Sequence, residues 1–288
     1  MTTRILRILS CEKAGPSDCA RRGSLRAEPC LHGTAVNMMT LRHALVVAIL
    51  VAMASLASAA DGSPPQANPE SGPARQVAPD SDVDDLPLIE VAAPDSTGNV
   101  LCVIISGDGG WAAIDKGISA SMADQGVPVV GLSSFRYFWS ARTPDQASKD
   151  LARILRHYFA AWHKEKAILT GYSFGADVIP FMASRLPDDL RSKIALVALL
   201  GASPNATFQF HFSDWLPGNW SKGNHPTKPE VEKLKGIKVL CVYGEDDSDC
   251  LCPQLAPETA KAVRLPGSHH FDRDFDALAA LILKEREQ

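Results

Sequence analysis

The stretch "AILTGYSFGADVIPF" (residues 167–181) decides how this chain is read. A short apolar run enters Gly171-Tyr172-Ser173-Phe174-Gly175, and a helix-like run leaves it. A serine between two spaced glycines is weak evidence by itself. With Gly and Ser each near 7% of residues, a chance match turns up in roughly one chain of this length in ten. The neighbourhood carries the information. If a buried strand precedes Ser173 and a helix follows, the serine stands on a sharp turn at the edge of a sheet.

Working outward, strands and helices alternate. "LPLIEVAAP" reads as an edge strand, and "NVLCVIISG" is a continuous apolar run, as expected of a strand buried on both faces. "AAIDKGISASMADQG" predicts a helix closed by Gly126, and "VPVVGLSS" the next strand. Thr143-Pro144-Asp145-Gln146 is a capping box with proline in the first helical position. After the elbow come strand "KIALVALLG", strand "IKVLCVYG", short strand "KAVRLP" and helix "DFDALAALILKER". The pattern predicts an α/β protein with a mostly parallel sheet and helices on both faces. "ATFQFHFSDWLPGNW" breaks the rhythm and predicts a small hairpin or cap inserted near residues 205–230.

The N-terminal part reads differently. Arg42 and His43, an apolar run from Ala44 to Leu56 and the small residues Ala57-Ser58-Ala59 form the three regions of a secretory signal peptide, residues 38–59. The run is short against the roughly 20 residues a membrane span needs. Residues 1–37 precede it and predict an over-extended reading frame starting before Met38 or Met39. Residues 60–85 are rich in Pro, Ser, Gly and acid and predict a disordered linker. The folded domain is then residues 86–288, and the signal peptide predicts a periplasmic location.

Without residues 1–59 the chain holds 22 Lys and Arg against 30 Asp and Glu, a net charge of −8. An acidic exported protein is a poor partner for nucleic acid and suits a cationic substrate group. Four cysteines survive processing: Cys102, Cys241, Cys250 and Cys252. Cys250-x-Cys252 has too few partners nearby for zinc. The reading calls for no metal and no cofactor.

The order Ser, acid, His along the chain is that of an α/β-hydrolase. The acid belongs after "IKVLCVYG", where "YGEDDSD" offers Asp247, with Asp246 as the alternative. The histidine belongs after the last strand, where "LPGSHHFD" offers His269, with His270 as a packing neighbour. His269 would take the Ser173 proton and Asp247 would orient the imidazole. An oxyanion hole needs backbone N–H groups, expected from Phe174 and from Asp108 or Gly109 in "SGDGGW".

Together, "ISGDGGW", "RYFWSARTPDQASKDLARIL", "LTGYSFGADVIPF" and "LPGSHHFD" resemble the bacterial virulence protein family VirJ/AcvB over about residues 88–285. The short linker resembles the single-domain, VirJ-like form. The resemblance implies an exported α/β-hydrolase with Ser173, Asp247 and His269 as its triad. It implies two functions. One is hydrolysis of aminoacylated phosphatidylglycerol, such as the lysyl form, at the periplasmic membrane face. The other is a link to type IV secretion components as a virulence factor or binding module. A serine esterase or thioesterase with another substrate is a further alternative.

The aminoacyl ester carries an ammonium next to its carbonyl. Asp108 and Asp177 are the candidates to pair with it, and Trp111 is a further candidate substrate contact. For Asp177 the competing role is a favourable acid in the first helical turn. The aromatic run Phe135 to Trp139 and the insert's Trp215 and Trp220 are candidates for a lipid-facing wall. In the usual strand order of this fold Cys102 and Cys241 lie three strands apart, about 14 Å, which a disulfide cannot span. Cys241 is expected to pair with Cys250 or Cys252, pinning the segment that carries Asp247.

Overall fold

From Leu88 to Glu287 the chain alternates strand and helix. In chain order the elements are β1 (Leu88–Val91), β2 (Val100–Ile105), α1 (Ala113–Asp124), β3 (Val129–Leu132), α2 (Ser134–Tyr137) and α3 (Pro144–Ala161). Then come β4 (Lys166–Tyr172), α4 (Phe174–Ser184), α5 (Asp188–Arg191), β5 (Ile194–Leu200), β6 (Asn205–Ala206) and β7 (His225–Pro226). The last are α6 (Lys228–Glu232), β8 (Val239–Gly244), β9 (Lys261–Leu265) and α7 (Phe275–Glu287). The computed structural model describes residues 82–210 and 223–287. The expected signal peptide, the segment before it and most of the linker lie outside the described residues, as do Trp215 and Trp220. Among the described residues, no helix is long and apolar enough to cross a membrane.

Seven strands form one sheet in the order β1-β3-β2-β4-β5-β8-β9. β1 runs antiparallel to β3, and every other pair is parallel. The alternation of side chains divides β2 between two cores. Leu101, Val103 and Ile105 join the core on the α3 and α4 side, while Cys102 and Ile104 join the core under α1 and α7. A strand buried on both faces needs apolar residues at every position, which explains the unbroken run.

The capping box opens α3 as expected. The Thr143 hydroxyl accepts from the Gln146 N–H at 3.1 Å, and the Gln146 side chain accepts from the Thr143 N–H at 2.9 Å. Leu151, Leu155 and Tyr158 then recur on one helix face and are buried against the sheet. On the opposite layer α7 packs against α1, with the Phe275 ring lying over Gly117.

One feature departs from the sequence reading and one agrees with it. The domain begins before residue 86: Val83 is buried, and the Arg153 side chain binds Asp85 and the Asp82 carbonyl. Composition marked these residues as linker, but one apolar side chain and one arginine dock them. The insert's two ends pair as the small antiparallel β6/β7 ladder, which clamps its base. Residues 211–222 between them lie outside the described residues.

Candidate functional site

Ser173 joins β4 to α4 and adopts φ 51 and ψ −119. A non-glycine residue there carries strain on the order of 1–3 kcal/mol, which the surroundings must impose. The flanking glycines show how. A Cβ on Gly171 would stand 2.3 Å from the Gly175 carbonyl oxygen, and one on Gly175 would stand 2.0 Å from the Ile105 carbonyl oxygen. Side chains at either position would force the turn open. The tight turn presents Ser173 at the C-terminal edge of the sheet with the N-terminus of α4 behind it, where negative charge is favoured.

A cavity of about 760 Å³ opens there, and Ser173, Asp247 and His269 all line it. His269 Nδ1 donates to Asp247 Oδ2 at 2.7 Å. That bond fixes the ring and leaves Nε2 to accept a proton. Asp246 makes no such contact; its N–H bonds the Gly267 carbonyl. Ser173 and His269 meet across the same cavity without a hydrogen bond between them.

Of the expected oxyanion donors, Phe174 is the first residue of α4, so its N–H has no carbonyl partner within the helix. The Gly109 N–H is taken by the Asp108 side chain at 3.0 Å. The Asp108 N–H makes no hydrogen bond among the described residues, so of the two it is the one that is not already taken. The loop is held by Ser134 at the start of α2. Its hydroxyl donates to the Ser106 carbonyl at 2.8 Å, and its N–H donates to the Ser106 hydroxyl at 3.0 Å.

The structure brings neither Asp177 nor Trp111 to the cavity wall. Asp177 is buried, and its Oδ1 accepts from the Ser203 N–H at 2.6 Å, bracing α4 against the loop after β5. Burial pushes its carboxyl well above the usual carboxylate range. Trp111 lays its ring over Gly131 of β3, a slot that a side chain there would fill. Both placements have one cause: a chain position next to the site does not set which way a side chain points.

Several features of the site were not read from sequence. Gly201, at φ 65, lies under the His269 ring; a Cβ there would stand 2.6 Å from Cε1. Its only signal was its place at the end of the β5 run. The Tyr172 hydroxyl and His270 Nδ1 are 2.7 Å apart on the same cavity wall. Asp249, Asp115 and Arg273 also line the cavity. The Asp115 carboxyl is buried beneath the wall, and burial raises it to about 6. Its Oδ2 accepts from the Ala112 N–H at 2.9 Å, while Oδ1 has no hydrogen-bond partner among the described residues.

Among the described residues the cysteines form one pair. Cys241 in β8 and Cys252 form a disulfide, closing a loop that contains Asp247. Cys102 and Cys250 are free and buried, and burial pushes the Cys250 thiol to about 11. Among the described residues, no group of His, Cys, Asp and Glu is arranged to hold a metal ion.

Comparison with solved structures places this framework. The ferulic-acid complex of Est1E from Butyrivibrio proteoclasticus superposes with a TM-score of 0.52 at 15% identity, covering 72% of this chain and 99% of that one. MenH from S. aureus gives 0.52 at 16% identity, covering 70% and 99%. A putative dienelactone hydrolase from Klebsiella pneumoniae subsp. pneumoniae gives 0.50 at 15%, covering 70% and 93%. At such identities the likeness shows the α/β-hydrolase fold. No curated protein matches the chain in sequence. The family described as bacterial virulence protein (VirJ) matches residues 99–288, which include β2, the elbow, the β8 loop and both histidines. This chain belongs to the VirJ family of bacterial virulence proteins and has an α/β-hydrolase fold.

Proposed function

We propose that the protein is a periplasmic serine esterase that cleaves the aminoacyl ester of aminoacylated phosphatidylglycerol, such as the lysyl form. The observation that carries the reading is the His269–Asp247 bond at 2.7 Å on the cavity that also holds the strained Ser173. Ser173 Oγ attacks the ester carbonyl as His269 Nε2 takes its proton. The Phe174 and Asp108 N–H groups receive the developing oxyanion. His269 returns the proton to the departing glycerol oxygen, and water then releases the amino acid from Ser173.

The choice of substrate draws on the family resemblance and on charge. Asp108 and Asp249 put carboxylates on the cavity wall, which suits the ammonium beside the scissile carbonyl. A lipid surface is supported by Trp139, the one large apolar side chain that is markedly exposed among the described residues. Phe135 packs edge-on against it at 5.4 Å, whereas Tyr137 and Phe138 of the same run are core residues.

A fluorophosphonate probe tests the chemistry. The wild type is expected to label and Ser173→Ala to lose the label; an unlabelled wild type would favour a binding module of the secretion apparatus. Membrane lipids from cells lacking the protein test the substrate. Aminoacyl phosphatidylglycerol should accumulate, and an unchanged lipid profile would remove this substrate.

A further inference from the structure

We infer that Arg273, with His270 beside it, forms an anion subsite that takes the phosphate of the leaving alcohol. The inference rests on the serine-esterase reading and extends it to the part of the substrate that departs. A base that takes the serine proton returns it to the departing oxygen, so the leaving group lies next to His269. The chain running on from His269 forms that side of the cavity, and His270 and Arg273 both line it.

The Arg273 guanidinium makes no ion pair or hydrogen bond with any described residue. Arg153 is held by Asp85 and Asp150 and Arg185 by Glu230 and Asp145, whereas exposed Arg136 on α2 is unpaired among the described residues but does not line the cavity, as Arg273 does. The backbone that places Arg273 is unusual. Phe271, Asp272 and Arg273 stand consecutively at φ 52, 49 and 61. Three left-handed residues in a row, none of them glycine, persist only when their surroundings hold them. Phe271 is buried in the core under α7, the Asp272 carboxylate lies close against Gly267, and Phe275 packs on Gly117.

A segment anchored at both ends thus carries an unpaired guanidinium to the cavity. Guanidinium pairs with phosphate through two parallel N–H donors, and this geometry suits a phosphodiester on the alcohol side. His270 Nδ1 is engaged with the Tyr172 hydroxyl, so its Nε2 is the remaining polar atom on that side. The cavity wall then carries both signs of charge, with Asp108 and Asp249 for an ammonium and Arg273 for a phosphate.

The test is competitive inhibition of 4-nitrophenyl acetate hydrolysis at constant ionic strength. Glycerol, glycerol 3-phosphate, glycerophosphoglycerol and inorganic phosphate are compared. Both phosphate esters should inhibit the wild type and glycerol should not. The inhibition constants should rise about 10-fold or more in Arg273→Gln, as expected for a lost charge-assisted contact, and recover part of the way in Arg273→Lys. Melting curves check that both variants fold.

Equal inhibition constants in wild type and Arg273→Gln, or no inhibition by the phosphate esters, would overturn the inference. Inhibition by inorganic phosphate alone would overturn the assignment to the leaving alcohol. The outcome stays separate from the aminoacyl reading. If the subsite behaves as expected while lysyl and acetyl esters of glycerol 3-phosphate react alike, the aminoacyl reading fails and the subsite stands.

Discussion

The His269 ring lies over Gly201, whose missing side chain leaves the space that ring occupies. A Cβ on Gly201 would stand 2.6 Å from Cε1 and 2.9 Å from Nδ1, and the residue sits at φ 65. Gly201→Ala therefore strains the backbone by about 1–2 kcal/mol and displaces the base. Esterase turnover should fall at least about 100-fold, the scale set by small misplacements of a reacting group. The melting temperature should drop only modestly. Comparing kcat with the melting curve of the same variant checks this; a normal kcat would show that His269 tolerates the push.

Asp247 and Asp246 are neighbours with different surroundings, and only Asp247 meets His269. Asp247→Asn should lower kcat by about 10³–10⁴-fold, because the imidazole loses the partner that sets its tautomer and stabilises its charge. Asp246→Asn should stay within a few fold of wild type. Parallel kinetics on the two variants decide which acid orients the base.

Asp177 is a brace between α4 and the β5 loop. Asp177→Ala removes the partner of the part-buried Ser203 N–H and should destabilise the domain by about 1 kcal/mol. Asp177→Asn keeps an acceptor for that N–H and replaces a carboxyl whose charged form burial already disfavours. It should cost less than the alanine change. Denaturant titrations of the two variants give the comparison, and equal losses would contradict the brace.

Asp115 makes stability depend on pH in a defined direction. Its folded pKa, about 6, lies above the ordinary aspartate value of 3.8 because burial disfavours the charge. Between those values the folded state holds more protons than the unfolded state, so stability falls as pH rises from about 4 to about 6 and then levels off. The fall is on the order of 2–3 kcal/mol for this group. Asp115→Asn should flatten that part of the profile, measured as denaturant midpoints at several pH values. An unchanged slope would assign the dependence to other carboxyls.

The Cys241–Cys252 disulfide closes the loop around Asp247. Reduction, or the double change Cys241→Ala and Cys252→Ala, should destabilise the domain by about 3 kcal/mol in the chain-entropy view. It should also lower turnover by loosening the acid. Peptide mapping without reduction should recover a Cys241–Cys252 cross-link, with Cys102 and Cys250 alkylated as thiols.

The fold was legible because its signals are local and periodic. Unbroken apolar runs marked β2, β4, β5 and β8 as doubly buried. The Thr143 box marked the start of α3, and the glycines around Ser173 marked a turn where a Cβ cannot fit. The order Ser173, Asp247, His269 followed from the same alternation, since each lies just past the C-terminal end of a strand. Composition misjudged Asp82–Asp85, because docking by Val83 and Arg153 joins residues about 70 positions apart in the chain.

What residue order settled, then, is the succession of elements and the loops that carry chemistry, because both arise from neighbours in the chain. It left open which side chains face the cavity. Asp177 and Trp111 sit beside the site in sequence yet turn to Ser203 and Gly131, while Gly201, Asp249 and Arg273 reach it from separate loops. The choice of Cys252 over Cys250 is of the same kind. These outcomes depend on distances between segments remote in sequence. Such distances exist only once the parallel sheet has brought its strand ends to one edge.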